Sequence, residues 1–176
     1  AERRQSVLFP GHYLRDYNSI RKVVRTLAEK YCDLEFNFLL PVELKEQILG
    51  GLDFEDRLVW HSGLSDQELK ALYQRQSVCI LPMLDSGANT AILESAASGI
   101  PIVTNDIGGI RDYGGGKIFD LARPGSVDDL VEQASVLLDN EGLRKRVGKD
   151  LREFAENHLD WHHVSRAHQI LYQKVQ

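Results

Sequence analysis

One acidic side chain stands alone in a long run of small and apolar residues. Between Ala88 and Pro101 the only charged residue is Glu94. A helix that is apolar nearly all round is buried nearly all round, and a carboxylate is rarely buried without a hydrogen-bond or charge partner. We therefore expect one of two arrangements. Either Glu94 pairs with a nearby arginine or backbone amides, or it faces a ligand cleft and accepts hydrogen bonds from ligand hydroxyls.

A loop of small and polar residues, 83–89, leads into the helix predicted around Glu94. Thr90 lies four residues before Glu94, so both side chains fall on one helix face. Helical side chains also lean toward the helix N-terminus, which aims Glu94 at this loop. The free amides of a helix start suit phosphate and sugar oxygens. The pattern therefore favours a ligand site at this helix start.

Short apolar runs alternate with longer amphipathic patterns along the chain, which indicates an α/β fold. Ser65 and Glu68 have the spacing of a capping box and mark one helix start. Because strands alternate with helices, we expect a Rossmann-like parallel sheet of about six strands with helices on both faces. The predicted strands are residues 6–10, 34–40, 57–61, 78–81, 102–104 and 117–119, and the predicted helices are residues 17–31, 42–49, 65–75, 88–99, 126–138, 142–158 and about 160–176.

The loops that leave the strand carboxyl ends are the expected ligand-binding region, because ligands of such sheets bind beyond those ends. These loops are residues 11–16, the region after Leu40, and residues 62–64, 83–89 and 105–113. No Gly-x-Gly-x-x-Gly motif follows the first strand, which argues against an ordinary NAD enzyme.

The bulk composition is that of an ordinary soluble globular protein, with 43% hydrophobic and 27% charged residues. Its 176 residues suit a single domain spanning 1–176. A net charge of -5 provides no basic field for nucleic acid. No apolar run approaches the roughly 20 residues that span a bilayer, and no signal-peptide pattern is present, so we expect a cytoplasmic protein. Because the chain begins without methionine, we expect it to be an excised part of a larger protein.

Other chemistry-bearing patterns are weaker. Gly142 and Gly148 imitate a P-loop, but their spacing is one residue too long and no Ser or Thr follows the lysine. Cys32 and Cys79 are expected to be buried free thiols rather than a disulfide. Trp161 is expected to anchor the final helix against the domain, with an exposed interface as the alternative. Four histidines lack recognisable co-ligands and are interpreted as surface residues: His158, His162, His163 and His168.

Residues 86–112 resemble the signature of family 4 (group 1) glycosyltransferases. That signature has a Glu, seven residues, a second Glu, then a small-residue helix, Gly-x-Pro-Val-Val and a Gly-Gly turn. Here Glu94 matches the second Glu and is followed by Gly-Ile-Pro-Ile-Val and Gly-Gly. Upstream, residues 63–69 with Leu72-Tyr73 are similar to the family's segment before its fourth strand. Pro10-Gly11-His12 resembles its opening loop. The resemblance runs from about Val7 to the final helix.

The resemblance implies a role for each matching position. Glu94 matches the Glu that binds the nucleotide ribose, and His12 matches a basic position that neutralises the diphosphate. Gly63 and Leu64 match positions that lie beside the base of the nucleotide. Gly11 lies in the opening loop. The remaining donor-binding positions belong to the loop and helix start that approach the sugar and the diphosphate: Ser86, Gly87, Ala88, Asn89, Thr90 and Ala91.

The sequence departs from the family pattern at both charged ends of the expected site. Ser86 stands where the family has its first Glu, with Asp85 one residue earlier. Either Asp85 substitutes by this one-residue shift, or the sugar hydroxyl is contacted differently. His12 replaces the usual Arg, and Arg15 lies close to where a Lys is expected near Tyr17. The candidate catalytic side chains are therefore His12, Arg15 and Asp85.

As the resemblance implies, the chain is the C-terminal, donor-binding half of a GT-B glycosyltransferase of the hexosyltransferase type, which retains anomeric configuration. It would move a sugar from a nucleotide-diphosphate sugar to an acceptor hydroxyl. A missing N-terminal domain would bind the acceptor, so this domain alone is expected to be inactive. No cofactor or metal is expected, and membrane contact would be at most peripheral, through the full-length protein. Two alternatives remain: a non-catalytic nucleotide- or sugar-binding module, and another GT-B enzyme such as a nucleotide-sugar epimerase.

Overall fold

The fold is a six-stranded sheet in which every strand pairing is parallel. The computed structural model describes residues 4–50 and 55–175. The strand order is β3-β2-β1-β4-β5-β6, which confirms the predicted Rossmann-like α/β sheet. The strands are β1 (Ser6–Pro10), β2 (Glu35–Leu39), β3 (Leu58–Trp60), β4 (Val78–Leu81), β5 (Ile102–Asn105) and β6 (Leu121–Ala122).

Most helices begin at a side chain that caps their free amides. Ser65 and Glu68 form both bonds of the predicted capping box, and Asp16, Asn89 and Ser126 each accept a bond from an amide of the first turn. Short 3-10 turns cover Val42–Leu44, Glu55–Arg57 and Gly108–Tyr113, and a π turn covers Ala155–Leu159. The α-helices are α1 (Tyr17–Lys30), α2 (Lys45–Leu49), α3 (Asp66–Gln74), α4 (Thr90–Ala97), α5 (Val127–Asp139), α6 (Glu141–Phe154) and α7 (Trp161–Val175).

The two faces of the sheet are covered by different helices. Strand side chains alternate between faces, so Val78 and Ile80 join the core cluster beneath α1, α2 and α5. Cys79 and Leu81 instead join the cluster formed with α4 and α6. On that second face Leu8 packs with residues of α3. Burial on both faces explains why β1 and β4 are buried at every position.

The predicted strand at residues 117–119 is wrong. The amides of Lys117 and Ile118 both bond to the carbonyl of Gly114, which places them in a turn. Phe119 forms only an isolated bridge with Gly115, and pairing with β5 begins at Leu121. Ile118 and Phe119 are apolar, as in a strand, but the turn after the 3-10 segment takes up the backbone amides of Lys117 and Ile118. These amides therefore cannot pair with a neighbouring strand.

The final helix does not pack as predicted. Trp161 is 81% exposed, so its predicted role as a packing anchor is wrong. The backbone is extended at Asp160, and this break separates α7 from the π turn before it. Ile170, Leu171 and Tyr172 are exposed as well. None of the described helices has the length and apolar character to cross a bilayer.

Both cysteines are free, as predicted, but only one is buried. Cys79 lies within β4 and is fully buried, and burial raises the pKa of its thiol to about 12. Cys32 is exposed just after α1, so the prediction of a buried thiol is wrong there. The nearest apolar residues in the sequence, Tyr31 and Leu34, pack in or against the core, whereas Cys32 itself is exposed.

We predict that Gly148→Ala destabilises the fold although alanine favours helix formation by about 1 kcal/mol. A Cβ at this position of α6 would lie 2.2 Å from the carbonyl oxygen of Gly99, at the end of α4. We expect the free energy of unfolding to fall by about 1–3 kcal/mol in urea denaturation. Gly142→Ala, in the same helix with its nearest contact at 3.5 Å, is the matched control and should be neutral or stabilising. Equal stability of the two variants would contradict the close approach of α4 and α6.

Candidate functional site

A cleft of about 590 Å³ opens at the carboxyl ends of β1 and β4. The strand order reverses between these neighbours, because β2 and β3 lie on one side and β5 and β6 on the other. Loops leaving such a pair diverge, and open α/β sheets bind ligands in the resulting crevice. The cleft is lined by Pro10, Gly11, His12, Tyr13, Leu14, Arg15, Leu39, Leu69, Tyr73, Met83, Asp85, Ser86, Gly87, Ala88, Asn89, Thr90, Ala91 and Glu94.

The cleft brings together all the sequence-predicted site residues except Gly63 and Leu64. These two follow β3, which is separated from β4 by two strands, β2 and β1. Leu64 packs against the cluster of Leu8, Leu72 and Tyr73, so it supports a side chain of the cleft without lining the cleft itself.

Two loops are joined by backbone hydrogen bonds along one wall of the cleft. The amide of Leu84 bonds to the carbonyl of Leu14 at 2.9 Å, and the amide of Asp16 bonds to Pro82 at 3.0 Å. Leu14 adopts a left-handed conformation with φ of 54°, which L-residues enter only at a cost. The loop after β1 is therefore held directly against the start of the loop after β4.

Arg15 is a buried cation that the described part of the chain leaves without a carboxylate partner. Its side chain is 7% exposed. Its Nε donates to the carbonyl of Pro10 and its Nη1 to that of Tyr13, both at 3.0 Å. Among the residues described, no carboxylate lies within ion-pair distance of it. Burial lowers the pKa of this guanidinium, yet an arginine stays protonated in proteins. Carbonyls orient it without cancelling its charge.

Gly11 is favoured by its left-handed backbone and by the nearby guanidinium of Arg15. It has φ of 74°, and a Cβ there would lie 2.8 Å from Nη2 of Arg15. A side chain would have to displace the arginine from the cleft wall. The glycine of the opening loop thus makes room for the cation.

Glu94 has a hydrogen-bond partner of a kind that the sequence did not suggest. The hydroxyl of Tyr73 donates to its Oε2 at 2.7 Å. Of the two expected arrangements, the pairing with an arginine or backbone amides is absent among the described residues, whereas Glu94 does face a cleft. Tyr73 is 1% exposed and Glu94 is half-buried. Among the described residues Oε1 of Glu94 has no hydrogen-bond donor. The carboxylate is therefore held on one side and open on the other.

The start of α4 presents unused backbone donors to the cleft. Asn89 caps the helix by accepting from the amide of Ile92. In the part of the chain that the structure describes, the amides of Thr90 and Ala91 have no acceptor. Both residues line the cleft. A helix start with free amides carries partial positive charge and attracts anions.

Hydrogen bonds to the 3-10 segment Gly108–Tyr113 hold the loop before α4 in place. The carbonyl of buried Ser86 accepts from the amide of Gly109 at 2.8 Å, and the amide of Asn89 donates to the hydroxyl of Tyr113 at 3.1 Å. Asp85 is exposed, and its Oδ1 accepts from the amide of Ser86. The acidic side chain that this loop shows to the cleft is thus that of Asp85, while Ser86 is buried.

Three residues that shape the cleft were not singled out as site residues from the sequence. Tyr73 holds Glu94, and Tyr113 fastens the loop before α4. The side chain of Asn105 forms two hydrogen bonds with the backbone of Met83, both at 2.8 Å. Its Nδ2 donates to the carbonyl of Met83, and its Oδ1 accepts from the backbone N–H of Met83. A polar side chain at the end of a buried strand was a signal for Asn105. Nothing local indicates the partner of Tyr73, which lies 21 positions away.

A second cavity, of about 660 Å³, lies between α5 and α6 near the β6 edge. Its lining includes the acidic residues Asp120, Asp129, Glu132 and Asp150, against the basic residues Lys117 and Arg146. This excess of acidic charge disfavours an anionic ligand. Over residues 4–50 and 55–175, no group of three or more His, Cys, Asp or Glu residues could hold a metal ion.

Comparison with known sequences finds one matching family, described as "Glycosyl transferases group 1", over residues 7–140. The chain is also 30% identical over 159 residues to the MMP alpha-(1->4)-mannosyltransferase of Mycolicibacterium hassiacum. The match covers 89% of this chain but 39% of that protein. The chain therefore spans about two fifths of the length of this curated relative.

Solved structures share the fold at low sequence identity. A glycosyltransferase from Rickettsia africae superposes with a TM-score of 0.83 at 14% identity, over 99% of this chain and 48% of that one. The C-terminal domain of a group 1 family glycosyl transferase from Francisella tularensis superposes with a TM-score of 0.74 at 11% identity. That match covers 89% of this chain and 87% of the other.

We predict that Gly108→Ala disturbs the loop before α4, whereas Gly109→Ala does not. Gly108 has φ of 54°, and a Cβ there would lie 2.1 Å from the carbonyl oxygen of Ser86. We expect a loss of at least about 1 kcal/mol in the free energy of unfolding, with faster amide hydrogen exchange at Gly109. The neighbouring Gly109→Ala is the control, because its Cβ meets nothing closer than 3.7 Å. Unchanged exchange in Gly108→Ala would show that this contact does not fasten the loop.

Proposed function

The chain belongs to the group 1 glycosyl transferases, and we propose that its cleft binds the nucleotide-diphosphate-sugar donor from which a sugar is transferred to an acceptor hydroxyl. The observation that carries the proposal is the meeting of three complementary groups at one switch point. They are the carboxylate of Glu94, the amides at the start of α4 and the guanidinium of Arg15. Among the described residues one carboxylate oxygen lacks a donor, the amides of Thr90 and Ala91 lack an acceptor, and the guanidinium lacks a carboxylate partner. A nucleotide sugar offers hydroxyls and a diphosphate, which these groups can bind.

The diphosphate is assigned to the amides of Thr90 and Ala91 together with Arg15 and His12. Phosphate oxygens bind readily at a helix start, where amides and the helix dipole act together. A diphosphate would give the guanidinium of Arg15 an anionic partner, which the residues that the structure describes do not supply. His12 is exposed on the same loop and lines the same cleft. The loop residues Gly11, Gly87, Ala88 and Asn89 shape this end of the cleft.

The two ends of the donor are assigned to the two acidic side chains. Glu94 accepts hydrogen bonds from the ribose hydroxyls, as its match to the family motif implies. Asp85 contacts the hydroxyls of the transferred sugar in place of the missing first Glu, because its carboxylate is exposed while Ser86 is buried. Gly63 and Leu64, which the resemblance places beside the base, lie outside the cleft lining in this structure. Leu64 would act through Tyr73, against whose cluster it packs.

Catalysis would rest on stabilising the leaving group. The bond between the anomeric carbon and the diphosphate oxygen breaks, and the acceptor oxygen bonds to that carbon and gives its proton to a base outside this domain. Negative charge then accumulates on the departing diphosphate. Fixed amides and a fixed guanidinium reduce the free energy of that charged state without reorganising. Arg15, already oriented by two carbonyls, suits this role. Retention of anomeric configuration and independence from metal ions stay predictions from the resemblance.

The acceptor side is assigned to another part of a longer protein. The mannosyltransferase relative extends well beyond the matched segment, and the Francisella structure is a C-terminal domain that this chain nearly covers. Both support placing the chain as the C-terminal half of a GT-B enzyme whose N-terminal domain binds the acceptor. This half alone would then be inactive. A cytoplasmic location and peripheral membrane contact stay predictions. Transferase relatives favour sugar transfer over a silent binding module or an epimerase.

We predict that Glu94→Ala weakens nucleotide binding by roughly tenfold to a hundredfold, because hydrogen bonds to a charged group contribute about 1.5–3 kcal/mol. Calorimetric titration with UDP, GDP, ADP and dTDP measures this. Glu29→Ala, an exposed glutamate on α1, is the control and should bind as the wild type does. If no nucleotide binds at millimolar concentration, the donor-site proposal is wrong. If Glu94→Ala binds normally, the ribose role is wrong.

We predict that Arg15→Gln selectively removes recognition of the second phosphate. The ratio of UDP to UMP affinity should fall by about tenfold, since a buried charge pair is poorly screened by solvent. Thermal denaturation checks that the loop after β1 remains folded. Arg25→Gln, on the exposed face of α1, should leave the ratio unchanged. An unaltered ratio in a folded Arg15→Gln protein would exclude Arg15 from the diphosphate site.

A further inference from the structure

We infer that Tyr73 is a positioning residue, which holds the carboxylate of Glu94 in the one orientation that leaves Oε1 free for the ribose hydroxyls. The inference rests on the proposed function and adds to it a residue to which neither the sequence motif nor the comparisons assign a role. Tyr73 reaches Glu94 across the interface of α3 and α4, so the two residues come from separate segments of the chain.

Tyr73 has a rigid setting. It is 1% exposed and packs with Leu8 of β1 and Leu72 of its own helix. An aromatic side chain has two rotatable bonds, and close packing leaves it little freedom. Its hydroxyl therefore has a nearly fixed position at the cleft wall, where the residue is part of the lining. A fixed donor can orient a flexible acceptor.

Glu94 is the flexible member of the pair. It has three rotatable side-chain bonds and is only half-buried. The hydroxyl of Tyr73 donates to Oε2 at 2.7 Å. Burial raises the pKa of that hydroxyl well above its ordinary value, so it stays protonated and acts as the donor across the working pH range. One oxygen of Glu94 is thus engaged before any ligand arrives.

The hydrogen bond from Tyr73 gives the two carboxylate oxygens of Glu94 different roles. Oε2 anchors the side chain to α3, while Oε1 has no donor within the described residues. A ligand hydroxyl that reaches Oε1 finds an acceptor already oriented, so less conformational entropy is lost on binding. Without the anchor, Glu94 samples other rotamers and the same contact is weaker.

A purely structural role for the Tyr73 hydroxyl makes a different prediction. If the bond only held α3 against α4, its loss would weaken binding of every ligand of the cleft alike. If it positions Glu94, its loss matters only for ligands that have ribose hydroxyls. Comparing a nucleotide with its 2′,3′-dideoxy analogue separates these cases.

The test is Tyr73→Phe, which keeps the ring and removes only the hydroxyl. UDP and GDP and their 2′,3′-dideoxy analogues are titrated into the wild type and the variant. We expect affinity for the ribonucleotide to fall by roughly threefold to tenfold, with affinity for the dideoxy analogue unchanged within about twofold. Tyr31→Phe is the matched control, since the Tyr31 hydroxyl also donates to a carboxylate, Asp139, but on an exposed surface outside the cleft.

A second variant makes the result specific to Glu94. In a Glu94→Ala background, adding Tyr73→Phe should cause no further loss of ribonucleotide affinity, because the group to be positioned is absent. A further loss there, or equal losses for ribo- and dideoxynucleotides, would overturn the positioning role. If the wild type prefers ribonucleotides and Tyr73→Phe keeps that preference, the inference fails while the donor site stands. If the wild type shows no preference, or binds neither nucleotide, the ribose contact itself is wrong.

Discussion

The parallel pairing of β1 with β4 is the interaction on which the rest of the site depends. Val7 pairs with Val78 and Leu8 with Cys79, and all four side chains are fully buried. The chain runs outward from β1 to β2 and β3 before it returns to β4, so the two loops that leave this pair separate. Parallel strands place their carboxyl ends at one edge. The loop carrying Arg15 and the loop before α4 therefore border one crevice.

The charged groups of that crevice are oriented by neutral partners. Carbonyls of Pro10 and Tyr13 hold the guanidinium of Arg15, and the hydroxyl of Tyr73 holds the carboxylate of Glu94. An ion pair would fix each side chain equally well, but it would also cancel the charge that a ligand needs. Neutral hydrogen bonds offset part of the desolvation cost and leave the charge available. This is the physical basis on which a protein of net charge -5 can present a local cation to a diphosphate.

Close contact between backbone segments, rather than side-chain chemistry, explains why glycine occupies two positions. Gly108 lies against the carbonyl of Ser86, and Gly148 lies against that of Gly99. The first contact fastens the loop before α4, and the second brings α6 onto the end of that helix. Gly148 also forms part of the spacing that imitates a P-loop, and its packing supplies the reason for a glycine there. Both ends of α4 thus depend on glycines that lie outside the cleft lining.

Much of the architecture was determined by local sequence. Alternating apolar runs and amphipathic segments predicted the parallel sheet, and Ser65 with Glu68 predicted a helix start, because periodicity and capping depend on residues a few positions apart. Glu94 was singled out because one charge in an apolar helix needs a partner. Only the tertiary structure decided that this partner is Tyr73 and that Trp161 is exposed. It also decided that Arg15 is buried with no carboxylate of residues 4–50 and 55–175 in ion-pair contact. Those outcomes depend on which distant elements meet across the sheet, and that information lies in no single stretch of the chain.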